Sequence, residues 1–250
     1  MSNWIGQGLR RGILTTKYPY QPDVMPERYR ARPVMFPGAT NEHIERGVAA
    51  CLSRAIEHSG REAVIDMQRC FQCGECARVA PEAFTFTNDF ELALTGDNVE
   101  IVRAELRRRT EALGRSIHIR HVDCGSDASC EQELQAIFNP FYDVNRLGIF
   151  LTASPRHADI LVATGVVTHS MVEPLRRVYD AMPSPKVVIA LGSAASSGTI
   201  FADDDVAGPV NRFIPVDVKV PGTPPAPLTI IHGLWVALGY VAARHPGATS

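Results

Sequence analysis

Residues 159–192 read DILVATGVVTHSMVEPLRRVYDAMPSPKVVIALG. The two ends, DILVAT and KVVIALG, are continuous β-branched-rich apolar runs. They lack the alternation of a strand with one wet face, so they predict strands covered on both sides. SMVEPLRRVYDAM between them reads as a helix. Strand–helix–strand is the repeating unit of an α/β protein with a mostly parallel sheet. The same rhythm extends outward: IHIRHV from Ile117 adds a strand, and EQELQAIF and LTIIHGLWVALGYVAAR add helices. Residues 117–245 are therefore predicted to form one α/β domain. Ligands of such sheets gather in loops beyond the carboxyl ends of the strands. Here those loops are HVDCGSDASC, GSAASSG and VPGTPPAP.

The chain has 250 residues, 45% hydrophobic and 21% charged, with a formal net charge of −2. That balance implies no electrostatic pull toward nucleic acid. No apolar run reaches the roughly 20 residues that span a bilayer, and no secretory h-region is expected at the N-terminus. Six cysteines are too few for a disulfide scaffold in a chain of this length. Their clustering predicts metal ligation in a reducing compartment.

Cys70, Cys73 and Cys76 form C-x2-C-x2-C, the tight loop that wraps one corner of a cubane iron–sulfur cluster. A cubane needs a fourth thiolate. The usual continuation would put it at position 80, before a proline, but Ala80 precedes Pro81. In two-cluster ferredoxins the last cysteine of one run ligates the other run's cluster. Cys51 is the only upstream cysteine. The expected set is thus Cys51, Cys70, Cys73 and Cys76, holding one 4Fe-4S cluster. A four-cysteine zinc site is the competing reading, although zinc usually takes two separated C-x2–4-C pairs.

Around this unit the chain is less regular. Trp4, Ile5, Leu9 and Ile13 fall at helical spacing beside Arg10 and Arg11. They suit either an interfacial helix, with residues 2–16 against a membrane or a partner, or a helix packed on its own domain. Residues 17–40 carry five prolines and read as an extended arm. Residues 99–113 predict a linking helix ended by Gly114, with Arg103, Arg107, Arg108 and Arg109 as a solvated face. Arg156, His157 and Asp159 at a strand entry read as structural, and Asp203–Asp205 as a solvated loop.

Longer stretches carry a resemblance. VDCGSDASCEQEL, NPFYDVNRLGI, SPRHADILVATGVVTHSM, PLRRVYDAMPSPKVVIALGSAASSG and IPVDVKVPGTPPAP occur in the order found in one family. It is the proximal-cluster small subunit (20 kDa subunit) of complex I and group 4 NiFe hydrogenases of the formate hydrogenlyase type. WIGQGLRRGILTTKYPYQP, VAACLSRAI and RCFQCGECARVAPEAF resemble the ferredoxin-like 2×4Fe-4S subunit of the same complexes. The chain looks like a fusion of the two. The resemblance implies an N-terminal segment and arm (1–40), an α+β ferredoxin-like domain (41–98), a helical linker (99–116), and a flavodoxin-like parallel-sheet domain (117–245).

The departures from these families are specific. The proximal cluster's ligand positions fall on Asp127, Cys130, Ala194 and Thr223, so only one thiol remains. In the ferredoxin-like half, the companion cluster's positions fall on Asn41, Ile44, Gly47 and Ala80, all without sulfur. Cys124 and Cys130 then read as small buried hydrophobes. No nucleophile–base pair is evident, so no catalytic residue is expected. The resemblance implies an iron–sulfur electron-transfer subunit, peripheral on the cytoplasmic face of the inner membrane. Its implied partners are a hydrogenase- or complex I-like large subunit and membrane-arm subunits. The alternative is a structural adaptor in a complex of this family that has lost redox chemistry.

Overall fold

A computed structural model describes residues 4–12, 14–60, 62–95, 99–111, 116–198 and 204–241. The N-terminal region holds α1 (Trp4–Arg11), β1 (Pro33–Met35), α2 (Asn41–Ala49), β2 (Ile56–Ser59), β3 (Glu62–Ile65), α3 (Glu75–Val79) and β4 (Phe84–Phe86). Then come α4 (Val99–Thr110), β5 (Ile117–Asp123), α5 (Ser129–Ala136), β6 (Ile149–Leu151), β7 (Ile160–Thr164), β8 (Val167–Thr168) and α6 (Val172–Ala181). The chain continues through β9 (Val187–Leu191), α7 (Ser193–Ser197), β10 (Val206–Gly208), β11 (Val218–Val220) and α8 (Pro227–Ala237).

Five strands form one sheet in the order β11-β9-β7-β5-β6. Every pairing is parallel, with Val162 opposite Ile189 and Val122 opposite Ala163. Numbered along the chain, that order is 2-1-3-4-5, the doubly wound arrangement of flavodoxin. The α/β reading therefore holds. Period-two geometry splits β7 between two cores. Ile160 and Val162 face one apolar cluster with residues of α5 and α8, while Leu161 and Ala163 face another with Leu175 of α6 and Ala195 of α7.

Several boundaries differ from the sequence reading. The last helix stops at Ala237 because Gly239 turns left-handed at φ +73 against the Arg107 backbone. Every residue from Leu228 to Ala237 is buried, so this helix runs inside the fold and is not amphipathic. Helix α5 begins at Ser129, two residues earlier than expected, and a 3-10 turn over His169–Met171 leads into α6. Helix α4 buries Leu106 completely. Ile13, Leu113, Gly114, Asp203 and the side chains of Val99, Val102, Arg103 and Arg109 lie outside what is described.

The N-terminal lobe mixes helices with two antiparallel pairs, β2–β3 and β1–β4. Pro33–Met35 of the proline-rich arm is one of those strands and pairs with Phe84–Phe86. An isolated antiparallel bridge between Leu94 and Lys219 ties the lobe's last stretch to the edge strand β11. Helix α1 buries none of its residues: Trp4 is 74% and Leu9 82% exposed. This excludes the reading that it packs on its own domain. No described helix is long and apolar enough to cross a membrane.

Candidate functional site

Cys51 lies in the turn between α2 and β2. Thr40 caps the start of α2, accepting the N–H of His43. After α2 the Cys51 N–H returns to the Val48 carbonyl, and Arg54, left-handed at φ 49, turns the chain into β2. The other three cysteines come from one loop. Its backbone turns left-handed twice, at Gln72 (φ 58) and at Gly74 (φ 88), before α3 begins at Glu75. Glycine suits position 74 because of its left-handed backbone; beside it the exposed Arg30 guanidinium, 2.3 Å from where a Cβ would lie, donates to the Cys73 carbonyl at 2.7 Å.

Cys51, Cys70, Cys73 and Cys76 line one pocket, with Pro33, Ile56, Phe71 and Phe86 on its apolar wall. All are free thiols: Cys70 and Cys76 are buried, Cys51 is half-buried and Cys73 is exposed. Backbone donors already point at sulfur. The Ala55 N–H reaches Cys51 Sγ at 3.3 Å, and the Gln72 N–H reaches Cys70 Sγ at 3.4 Å. Such N–H groups favour the thiolate over the thiol. Burial acts the other way, and the neighbouring thiols add to it. Together they push Cys70 up to about 12 and Cys76 up to about 11. Loading a metal centre here must therefore displace protons. Among the described residues no three His, Cys, Asp or Glu side chains close tightly enough to cage a single metal ion.

Of the companion positions, Asn41 is exposed, while Ile44, Gly47 and Ala80 are packed among carbon. Ile44, Ala80 and Phe84 share one small apolar cluster with Cys76. Gly47 faces them, and a Cβ on it would strike the Phe84 ring at 2.2 Å.

The loops beyond β5, β9 and β11 converge as an α/β sheet requires. Cys130, at the start of α5, is buried against the loop that begins at Gly192; a Cβ on Gly192 would lie 2.6 Å from Cys130 Sγ. Ala194 is in α7, while Asp127 and Thr223 are exposed on the flanking loops. Burial raises both Cys124 and Cys130 to about 12. These residues do not fit a cubane. One thiol is available, and Ala194 offers no donor at all. Below the loops, His121, Thr164 and Glu131 form a polar cluster. His121 Nε2 is 2.9 Å from Thr164 Oγ1, which donates to Glu131. At the strand entry, Asp159 accepts the His118 N–H at 2.7 Å.

Sequence reading did not find Arg30 or Ser193, both of which touch the cysteine loop. They come from 43 and 123 residues away, beyond any local pattern. The glycine of C-G-E-C was the one legible clue, since it marks a position where another group crowds the backbone.

The family described as NADH ubiquinone oxidoreductase, 20 Kd subunit, matches residues 128–237. Over 154 residues the chain is 43% identical to the probable membrane-bound hydrogenase subunit mbhJ of Pyrococcus furiosus, which covers 60% of this chain and 92% of that protein. The chain belongs to the 20 kDa subunit family. It is also 39% identical to formate hydrogenlyase subunit 7 of Escherichia coli over 166 residues, 64% of each chain. A structure of the membrane-bound sulfane sulfur reductase, an archaeal respiratory membrane complex, includes a chain that is 26% identical. The likeness covers 52% of this chain and 74% of that one, at a TM-score of 0.45. The family match begins at Ala128, well after the cysteine loop.

Proposed function

We propose that this protein is an iron–sulfur subunit of a membrane-associated oxidoreductase complex of the complex I and group 4 hydrogenase type. In this reading a ferredoxin-like segment, residues 41–98, is fused to the 20 kDa-type lobe. One 4Fe-4S cluster is held by Cys51, Cys70, Cys73 and Cys76, and the α/β lobe holds none. The observation that carries this is the meeting of the four cysteines on one pocket, although Cys51 is 19 positions from the nearest of the others. The names of the relatives, a membrane-bound hydrogenase subunit and a formate hydrogenlyase subunit, support membership of a multisubunit complex; in this reading its partners are a large subunit and membrane-arm subunits.

The donor set favours a cluster over zinc. Structural zinc usually takes two separated C-x2–4-C pairs, whereas here a triplet, Cys70, Cys73 and Cys76, is joined by the single Cys51. A cubane spreads its thiolates over four irons and tolerates a wider cage. When bound it supplies one-electron transfer. The chain's own residues hold the thiolates, donate N–H groups to sulfur, and exclude water through Phe71 and Phe86. Cys73, the exposed ligand, is the point nearest an outside partner.

A second reading rests on the closed rim at Cys130 and Gly192. With no relay there, the α/β lobe would serve as an adaptor between a large subunit and a membrane arm, and the cluster as a folding staple. Anaerobic purification followed by dithionite titration under EPR separates the two. A reversible S = 1/2 signal at about one spin per chain supports electron transfer. A cluster that is present but irreducible supports the adaptor. A protein without iron or labile sulfide contradicts both.

A further inference from the structure

The cysteine loop and the rim of the α/β sheet meet through one buried hydroxyl. Ser193 opens α7 and is fully buried. Its Oγ donates to the Cys70 carbonyl at 2.9 Å and accepts the Gly222 N–H at 3.3 Å. Its own N–H donates to the Gly222 carbonyl at 2.9 Å. One residue thus links the loop carrying three of the cysteines to the loop after β11. The surroundings leave little slack. A Cβ on Gly222, which is left-handed at φ +129, would meet the Pro225 backbone at 2.7 Å and Gln72 Oε1 at 3.1 Å. Nearby, Lys219 Nζ donates to Gln68 Oε1 at 2.6 Å.

Ala194 and Thr223, the residues next to Ser193 and Gly222, stand where the resemblance puts two proximal-cluster ligands. The rim that lacks thiolates therefore grips the loop that has them. We propose that Ser193 is a positioning residue for the four-cysteine site. By fixing the Cys70 carbonyl it fixes the Cys70–Phe71 peptide, at the root of Cys70 Sγ and one residue before the Gln72 N–H bonded to that sulfur. This rests on the iron–sulfur reading above. The physical reason is the cost of its absence: alanine at 193 leaves a buried carbonyl and the Gly222 N–H without their partner. Hydrogen bonds around ligand sulfurs tune cluster potential.

The test compares full-length wild type, Ser193→Ala and Ser193→Thr, purified anaerobically. Readouts are iron per chain, the EPR spectrum and midpoint potential of the reduced protein, and hydrogen exchange over residues 68–76 and at Gly222. Ser193→Ala is expected to keep wild-type iron, since all four thiols remain. Its g-values and midpoint should shift, and exchange over residues 68–76 should rise by about tenfold, the scale of one lost buried hydrogen bond. Ser193→Thr, which keeps the hydroxyl, should restore the spectrum. Wild-type EPR, midpoint and exchange in Ser193→Ala would overturn the assignment. If wild type holds no iron, the iron–sulfur reading fails by itself. The exchange comparison still judges the bridge, and unchanged exchange sinks it. If Ser193→Ala does not fold, the Gly222 amide of wild type decides: protection supports the bridge and rapid exchange refutes it.

Discussion

The two lobes of this protein hold their shape by different means. The α/β lobe is built on strands such as Ile160–Thr164 and Val187–Leu191, buried at every residue, with two large apolar clusters on either side of the sheet. The cysteine lobe has strands of three or four residues and two small clusters into which Cys51, Cys70 and Cys76 are packed. A lobe with that much buried apolar surface can be stable on its core alone; in the proposed reading, Ala194 and Thr223 can therefore replace ligands without disturbing the sheet. The second kind has little core of its own, and in the proposed reading the cluster adds to its folding free energy. At three of the positions that the resemblance gives to a companion cluster, the lobe is packed with carbon, with Phe84 lying across Gly47 beside Ile44 and Ala80.

The comparison breaks most visibly in the cores. Phe84→Ala should cost about 3–5 kcal/mol and Leu161→Ala about 2–5 kcal/mol, as buried truncations do. Phe84→Ala should also lower iron content, because Phe84 shares its cluster with Cys76. Leu161→Ala should leave iron per folded chain unchanged. Denaturant melts combined with iron analysis check both, and equal iron loss in the two variants would erase the distinction between lobes. A second effect follows from stripping metal with a chelator under mild oxidation. Hydrogen exchange should rise across residues 41–86 while β7 and β9 stay protected; uniform exposure would mean the lobes unfold as one.

Smaller effects sharpen the picture. Gly192→Ala places a methyl 2.6 Å from Cys130 Sγ at φ +91. It should cost roughly 1–3 kcal/mol through overpacking, read as a lower denaturation midpoint with iron retained. The smallest expected effect is Arg30→Ala. It removes an exposed donor to the Cys73 carbonyl and should cost no more than about 1 kcal/mol. Its readout is faster exchange in the cysteine loop, reversed in part by Arg30→Lys.

The α/β lobe was legible in sequence because parallel strands covered on both faces must be continuously apolar, and DILVAT and KVVIALG are. Its edge was less legible: β6 is only Ile149–Leu151, with Phe150 and Leu151 partly in solvent, and carries no such run. The end of the last helix was misplaced because its apolar run continues past Gly239, where the backbone turns. The C-x2-C-x2-C loop announced itself by spacing. The contacts that hold it did not, because Arg30 and Ser193 reach it through tertiary structure that no local period records. Helix α1 was legible as amphipathic, yet among the described residues none of its apolar side chains is buried.

Iron and acid-labile sulfide counts on three anaerobically purified proteins bear most directly on this account: wild type, Cys51→Ser and Cys130→Ser. Wild type and Cys130→Ser should each carry four irons per chain, as one cubane requires, and Cys51→Ser should lose them or keep only a degraded centre. Equal iron in wild type and Cys51→Ser, or loss confined to Cys130→Ser, would contradict it.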